Sequence, residues 1–125
     1  MKIITAQEHQ TADNTGVLEL ANDLDPRKLD LSGVIRIDLQ FPAFTDGRAY
    51  SQAFLLRRRL GFAGELRATG DVLIDQLVQM QRTGFDVAVL ADGVDASAAQ
   101  RQLDRYAGFY QGSAVQTQPH FAKAA

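Results

Sequence analysis

Between residues 34 and 110 the chain alternates three times between a strand-like run and a longer run with helical spacing. That alternation limits the fold more than any other feature. The first strand run, Val34 to Phe41, is rich in β-branched residues. Within it Ile35, Ile37, Leu39 and Phe41 point one way, and Arg36, Asp38 and Gln40 the other. Pro42 then stops ladder pairing. A helix is predicted from Asp46–Gly47 to about Leu60, with Ala49, Ala53, Leu56 and Leu60 as its inner stripe and Gly61 at its C-terminal cap. Glu65 to Thr69 is the second strand. Asp71 is placed to cap a second helix through about Arg82, with Leu73, Leu77 and Met80 inward and Gly84 beyond its end. Asp86 to Leu90 is the third strand, and Asp95 caps a third helix through about Tyr110. Strands separated by helices of this length cannot pair as tight hairpins, so they form parallel crossovers. The expected fold is α/β: three strand–helix units forming a small, mainly parallel sheet with helices packed on it.

The flanks are less regular. Residues 1–16 read as an N-terminal arm, or as a hairpin begun by Ile3-Ile4, because the segment turns polar and ends in the turn signal Asp13-Asn14-Thr15-Gly16. Val17 to Leu20 is a short strand, and Asp25-Pro26 starts a turn or a single helical turn. The α/β domain is expected over residues 17–112. A tail follows over 113–125, with a strand signal around Ala114-Val115-Gln116.

Composition removes several function classes. The 125 residues are one ordinary domain, and a hydrophobic fraction of 46% supports a core without metal or disulfide staples. The chain has no cysteine, so disulfides, thiolate metal sites and cysteine nucleophiles are impossible within it. His9 and His120 are the two imidazoles and lie near opposite ends of the chain, so no metal site is expected. A net charge of -2 gives no global attraction to nucleic acid or an anionic membrane. No apolar run approaches the roughly 20 residues that span a bilayer, and the N-terminus lacks the apolar stretch of a signal peptide. A cytoplasmic location is expected.

A parallel sheet brings the C-terminal ends of its strands to one edge, where loops and helix starts form ligand sites. Three loops should meet there: residues 42–48, 69–71 and 91–95. The first is richest in functional atoms, with Thr45, Asp46, Gly47 and Arg48 in succession and Tyr50 and Ser51 behind. Arg48 is a cation in a first helical turn, against the helix dipole, which calls for an anionic partner. That partner is either a carboxylate of the chain or a bound anion. Asp46 and Asp71 double as ordinary helix caps. Gly70 and Asp71 complete the candidate rim, with Gln76 one turn into the second helix. Arg67 either reaches toward that rim or marks an edge strand with one wet face, since a strand covered on both faces should be apolar throughout. Arg57-Arg58-Arg59 reads as a solvated face, or as a docking surface for an acidic partner.

No dinucleotide fingerprint, phosphate-binding loop or nucleophile elbow is present, and no cofactor is recognisable. Residues 41–51, FPAFTDGRAYS, followed by Leu55-Leu56-Arg57 and Gly61-Phe62, resemble a bacterial family. The resemblance continues through Gly64 to Leu73, Asp75-Gln76-Leu77 and Gly84-Phe85-Asp86. The chain is similar to domain-of-unknown-function family 934, whose members are labelled probable oxidoreductases involved in sulfite reduction. The resemblance carries no established catalytic residue. Ala49 stands where relatives often have Gly, and Thr83 where they often have Cys. Electron transfer to sulfite needs a redox centre, and this chain has no thiol to help form one. The resemblance therefore implies an accessory protein of sulfite reduction, in contact with sulfite reductase components. The alternative is a small oxyanion-binding enzyme or sensor with its site at the C-terminal edge of the sheet. A homodimer that covers open sheet edges is a third expectation.

Overall fold

The computed structural model describes residues 1–43 and 47–106, without the side chain of Tyr106. Five parallel strands form one sheet: β1 (Lys2–Thr5), β2 (Val17–Leu20), β3 (Arg36–Phe41), β4 (Glu65–Gly70) and β5 (Val87–Leu90), in spatial order β1-β5-β4-β3-β2. Among the described residues four α-helices accompany them: α1 (Ala6–Gln10), α2 (Arg48–Phe54), α3 (Leu77–Thr83) and α4 (Ala96–Tyr106). From β2 to β5 the chain steps one strand at a time in one direction. Right-handed crossovers stepping one way keep their helices on one face. That is the observed arrangement: Ile37, Leu39 and Phe41 of β3, Leu66 and Ala68 of β4, and Ala88 and Leu90 of β5 join one buried cluster with Ala49, Leu56, Leu77, Met80 and Leu103 from the helical segments.

The opposite face follows the other half of the alternation. Register pairs Arg36 with Glu65 and Asp38 with Arg67, so four charged side chains stand on two central strands. They are covered by the segment that leaves β1 and crosses the sheet to β2. Arg36 is 5% exposed and Asp38 1% exposed. Arg36 grips Asp38 with two hydrogen bonds, of 2.9 and 3.1 Å, and donates at 3.2 Å to the Asn14 side-chain oxygen. Arg67 donates to Glu65 at 2.6 Å and contacts His9 Nδ1 at 2.9 Å. Arginine can only donate, so Nδ1 accepts and the ring's N–H is on Nε2, 3.6 Å from Asp38. A charge inside a sheet is tolerated when it is paired and hydrogen-bonded. Beside this chain of polar contacts, Ile4, Val87 and Val89 form a small apolar cluster against Ala6.

Several local expectations change. The N-terminal segment is not a hairpin: β1 pairs parallel with β5 and forms the sheet's edge. The strand carrying Arg67 is not an edge strand but lies between β3 and β5. Its polar residues follow from a sheet whose second face is covered by a polar crossing segment, including the short helix α1, instead of an apolar helix layer. Asp71 does not cap the second helix. A 3-10 turn over Ile74–Gln76, with Leu73 at its N-cap position, precedes α3, and the Asp71 amide continues strand-end bonding by donating to the Phe41 carbonyl at 2.8 Å. The first long helix is α only to Phe54 and becomes a π turn over Leu55–Arg59. Gly61 and Gly84 end their helical segments as expected, and Asp95 caps α4 through the Ser97 amide at 2.8 Å. The expected continuation of the last helix to Tyr110, the strand around Val115, and the 113–125 tail lie outside the described residues.

Candidate functional site

The C-terminal ends of the five strands line one edge in the order Thr5, Leu90, Gly70, Phe41, Leu20. Phe41 is in register with Gly70, so the loop leading to Arg48 and the loop after Gly70 start side by side. Gly70 makes that approach possible. Its φ is +93°, and a Cβ would collide with the Phe41 carbonyl oxygen.

Among the described residues, open depressions run along this edge. The first, about 320 Å³, lies between the Asn22–Arg27 turn and one stripe of the first long helix, Arg48, Ser51, Gln52 and Leu55. Spacing of three and four residues puts those side chains on one helical face. Gln52, 4% exposed, ties the two walls together: its amide nitrogen donates to the Ala21 and Leu24 carbonyls at 2.9 and 2.8 Å. Its Oε1 is buried with no hydrogen-bond partner among the described residues. At the mouth Asp25 accepts from Arg27, and those bonds hold its carboxyl at about 2. Asp25 also caps the 3-10 turn Pro26–Lys28 through the Arg27 amide. The second depression, about 470 Å³, lies between Leu73–Asp75 and Gly93–Asp95. The third, about 220 Å³, lies between Thr5–Gln7 and Leu90–Val94.

The candidate residues do not converge on one of these. Arg48 lines the first depression. Gly47 precedes α2, and its carbonyl accepts from the Tyr50 amide at 3.2 Å. Gly70 and Asp71 lie on the β4 side of the rim, their backbone bound up with Phe41. Tyr50 turns inward, edge-on to Phe41 at 5.0 Å and to Phe85 at 6.5 Å. Among the described residues its buried hydroxyl has no hydrogen-bond partner, and burial pushes the phenol up to about 12. Arg67 points to the opposite face of the sheet, toward His9 and away from the helices that carry Arg48. Gln76 accepts from the Leu73 amide at 3.3 Å inside the 3-10 turn. Thr45 and Asp46 lie outside the described residues.

Sequence reasoning missed Gln52 and the Asn22–Arg27 wall, because nothing in the order of residues shows that the turn after β2 folds against α2. It also missed the link between His9 and Asp38. There a signal did exist: charges at every second position of two adjacent strands mark a polar face that something must cover. The basic run resolves into unlike parts. Arg57 is a clamp at the opposite, N-terminal edge of the sheet, donating to the carbonyls of Gly84, Phe62 and Gly64 at 3.0, 2.7 and 2.7 Å and to Asp86 at 2.5 Å. Arg58 and Arg59 are exposed.

No described helix is long and apolar enough to cross a membrane, and among the described residues no three His, Asp or Glu side chains are grouped to hold a metal ion. A family model described as a bacterial protein of unknown function (DUF934) matches residues 17–121. No curated protein and no solved structure matches the chain.

Proposed function

Because the chain belongs to the bacterial family of unknown function DUF934, we propose that it is an accessory protein of assimilatory sulfite reduction that acts by contact with a partner. The link to sulfite reduction comes from the label that the family resemblance carries. The mode of action is supported by one observation: four of the motif residues that carry the resemblance, Arg57, Arg67, Gly70 and Asp86, are engaged with the protein itself. Arg57 holds three carbonyls and Asp86. Asp86 in turn accepts from the Leu66 amide at 2.9 Å. Arg67 is bound to Glu65 and His9, and Gly70 admits the Phe41 carbonyl. A motif used in this way specifies a scaffold whose outer surface does the recognising. With no thiol in the chain, a thiol-based electron relay would have to belong to the partner.

Deletion of the gene tests the reading. The deletion strain is expected to grow normally on cysteine and poorly on sulfate or sulfite, and the purified protein to co-purify with the sulfite reductase hemoprotein. Normal growth on all three sulfur sources, with no complex at micromolar concentrations, overturns it.

A second reading, a small oxyanion site at the rim, is favoured by Arg48 and Ser51 lining the first depression beside Asn22. Calorimetric titration with sulfite and with sulfate checks it. Binding is expected to weaken at least tenfold in Arg48→Ala, and equal binding by the two proteins rejects the site.

A further inference from the structure

The π turn that follows α2 has two consequences. Its wide bonding, with the Leu60 amide donating to the Leu55 carbonyl at 3.0 Å, accompanies a fully buried Leu56 and an Arg57 that reaches the sheet's lower edge. The same turn leaves Arg58, Arg59 and Leu60 facing water. π turns in α-helices are frequent at functional positions, and here the outward residues have a definite chemistry. Phe54 is 45% exposed and Leu60 38% exposed, two of the four large apolar side chains that the described residues leave exposed. The Arg58 guanidinium lies over the Phe54 ring, 5.6 Å from its centroid. Among the described residues neither Arg58 nor Arg59 forms an ion pair, whereas Arg27, Arg36, Arg57 and Arg67 each do.

We infer that Phe54, Arg58, Arg59 and Leu60 form a docking surface for an acidic partner protein that offers carboxylates around an apolar side chain. This inference rests on the accessory reading above and supplies its contact surface. Helix-end arginines complement the dipole, which accounts for the cations but not for the exposed Phe54 and Leu60. Arginine beside an aromatic is the composition of an interface hot spot, and its planar fork pairs carboxylates in a bidentate way. Anionic membranes and nucleic acids are held by larger basic clusters, of roughly 4–8 cations at a membrane. This chain carries a net charge of -2. The patch is thus a local cationic spot on an acidic molecule, which fits a protein partner.

The test uses the full chain and two probes. The first is a synthetic peptide of glutamates around a single leucine, followed by amide NMR shifts. Shifts are expected to concentrate at residues 54–60 and to disappear in Arg58→Glu/Arg59→Glu. Both sites are exposed, so the fold should survive. Phe54→Ser is the uncharged control and should also weaken the shifts. Absence of shifts at 54–60, or equal shifts in the charge-reversed variant, overturns the surface. Tighter binding of RNA or anionic vesicles through the same two arginines overturns the assignment to a protein partner. The second probe is the sulfite reductase hemoprotein, for which the charge reversal should weaken binding at least tenfold. A complex that forms equally well with the variant removes the surface and leaves the accessory reading standing. Peptide binding at 54–60 with no hemoprotein complex does the reverse.

Discussion

Gly70 and Gly93 both have positive φ, +93° and +85°, yet they stand in different surroundings. A Cβ at Gly70 meets the Phe41 carbonyl, whereas one at Gly93 has nothing within 4 Å. Gly93→Ala should therefore cost only the left-handed backbone penalty, about 1 kcal/mol, and Gly70→Ala on the order of 3 kcal/mol because it also parts β3 from β4. Urea unfolding of the two variants checks the ranking. Tyr50 offers a second residue-scale prediction. Desolvation raises its phenol from the ordinary 10.0 to about 12. The folded state thus keeps the proton that the unfolded chain releases first. Below about pH 10 both states are protonated and stability is unaffected; as pH rises from about 10 to about 12 stability is lost. Tyrosinate absorbance in the folded protein should show a late step near 12 that Tyr50→Phe removes. A tyrosine titrating at its ordinary value and lost in Tyr50→Phe would place the phenol in water.

Among the elements, the first long helix with its π turn is the most informative, because its sequence predicts one regular helix and its surroundings impose two geometries. Leu56 belongs to the core and Arg57 must reach carbonyls at the start of β4 and the end of α3. Arg57→Ala takes the guanidinium donor from those carbonyls and leaves Asp86 with the Leu66 amide but no ion-pair partner, and a loss of roughly 3 kcal/mol is expected. Arg57→Lys should recover only part of it, since one ammonium cannot span a fork that serves four acceptors. The denaturant midpoint of the two variants measures this, and an unchanged midpoint in Arg57→Ala would show that the clamp is decorative. The charged strands β3 and β4 show the same principle from the other side: alternation is read correctly, but what lies over the polar half is decided elsewhere in the chain.

For the whole molecule, the crossing segment is the part whose role is least expected. The family match begins at residue 17, but β1 closes the sheet beside β5, and His9, Asp13 and Asn14 contact Arg67, Asp38 and Arg36. Trimming the chain to residues 17–121 should uncover the β5 edge and the Val87–Val89 cluster and leave Arg36 and Arg67 short of partners. A loss of at least about 3 kcal/mol is expected from the buried Ile4 and the broken polar contacts. Open parallel edges also recruit other chains, so thermal unfolding and light scattering across a dilution series should show a lower midpoint and concentration-dependent association. A trimmed chain that stays monomeric with an unchanged midpoint would show that β1 contributes nothing to the fold.

The strand and helix runs were legible because they depend on local periodicity. Ile37, Leu39 and Phe41 recur every second residue, and Ala49, Ala53 and Leu56 recur at helical spacing. Parallel pairing followed from connection length alone, as did the rim that brings the Phe41 and Gly70 ends together. What stayed illegible depends on contacts between segments far apart in the chain. Arg67 sits on a different face from Arg48 because strand alternation assigns the face and the crossovers choose which face the helices take. Tyr50 is withdrawn into an aromatic cluster by Phe85, and Gln52 is turned toward the carbonyls of a loop 28 to 31 residues away. The sequence by itself determined the alternation of the central strands and helices and the parallel direction of those strands, since both follow from periodicity and connection length. That β1 joins the sheet beside β5, and that β4 lies inside it, came from the tertiary structure. Only the tertiary structure decided which charged groups meet, because the distance between side chains remote in sequence is set by packing and not by spacing.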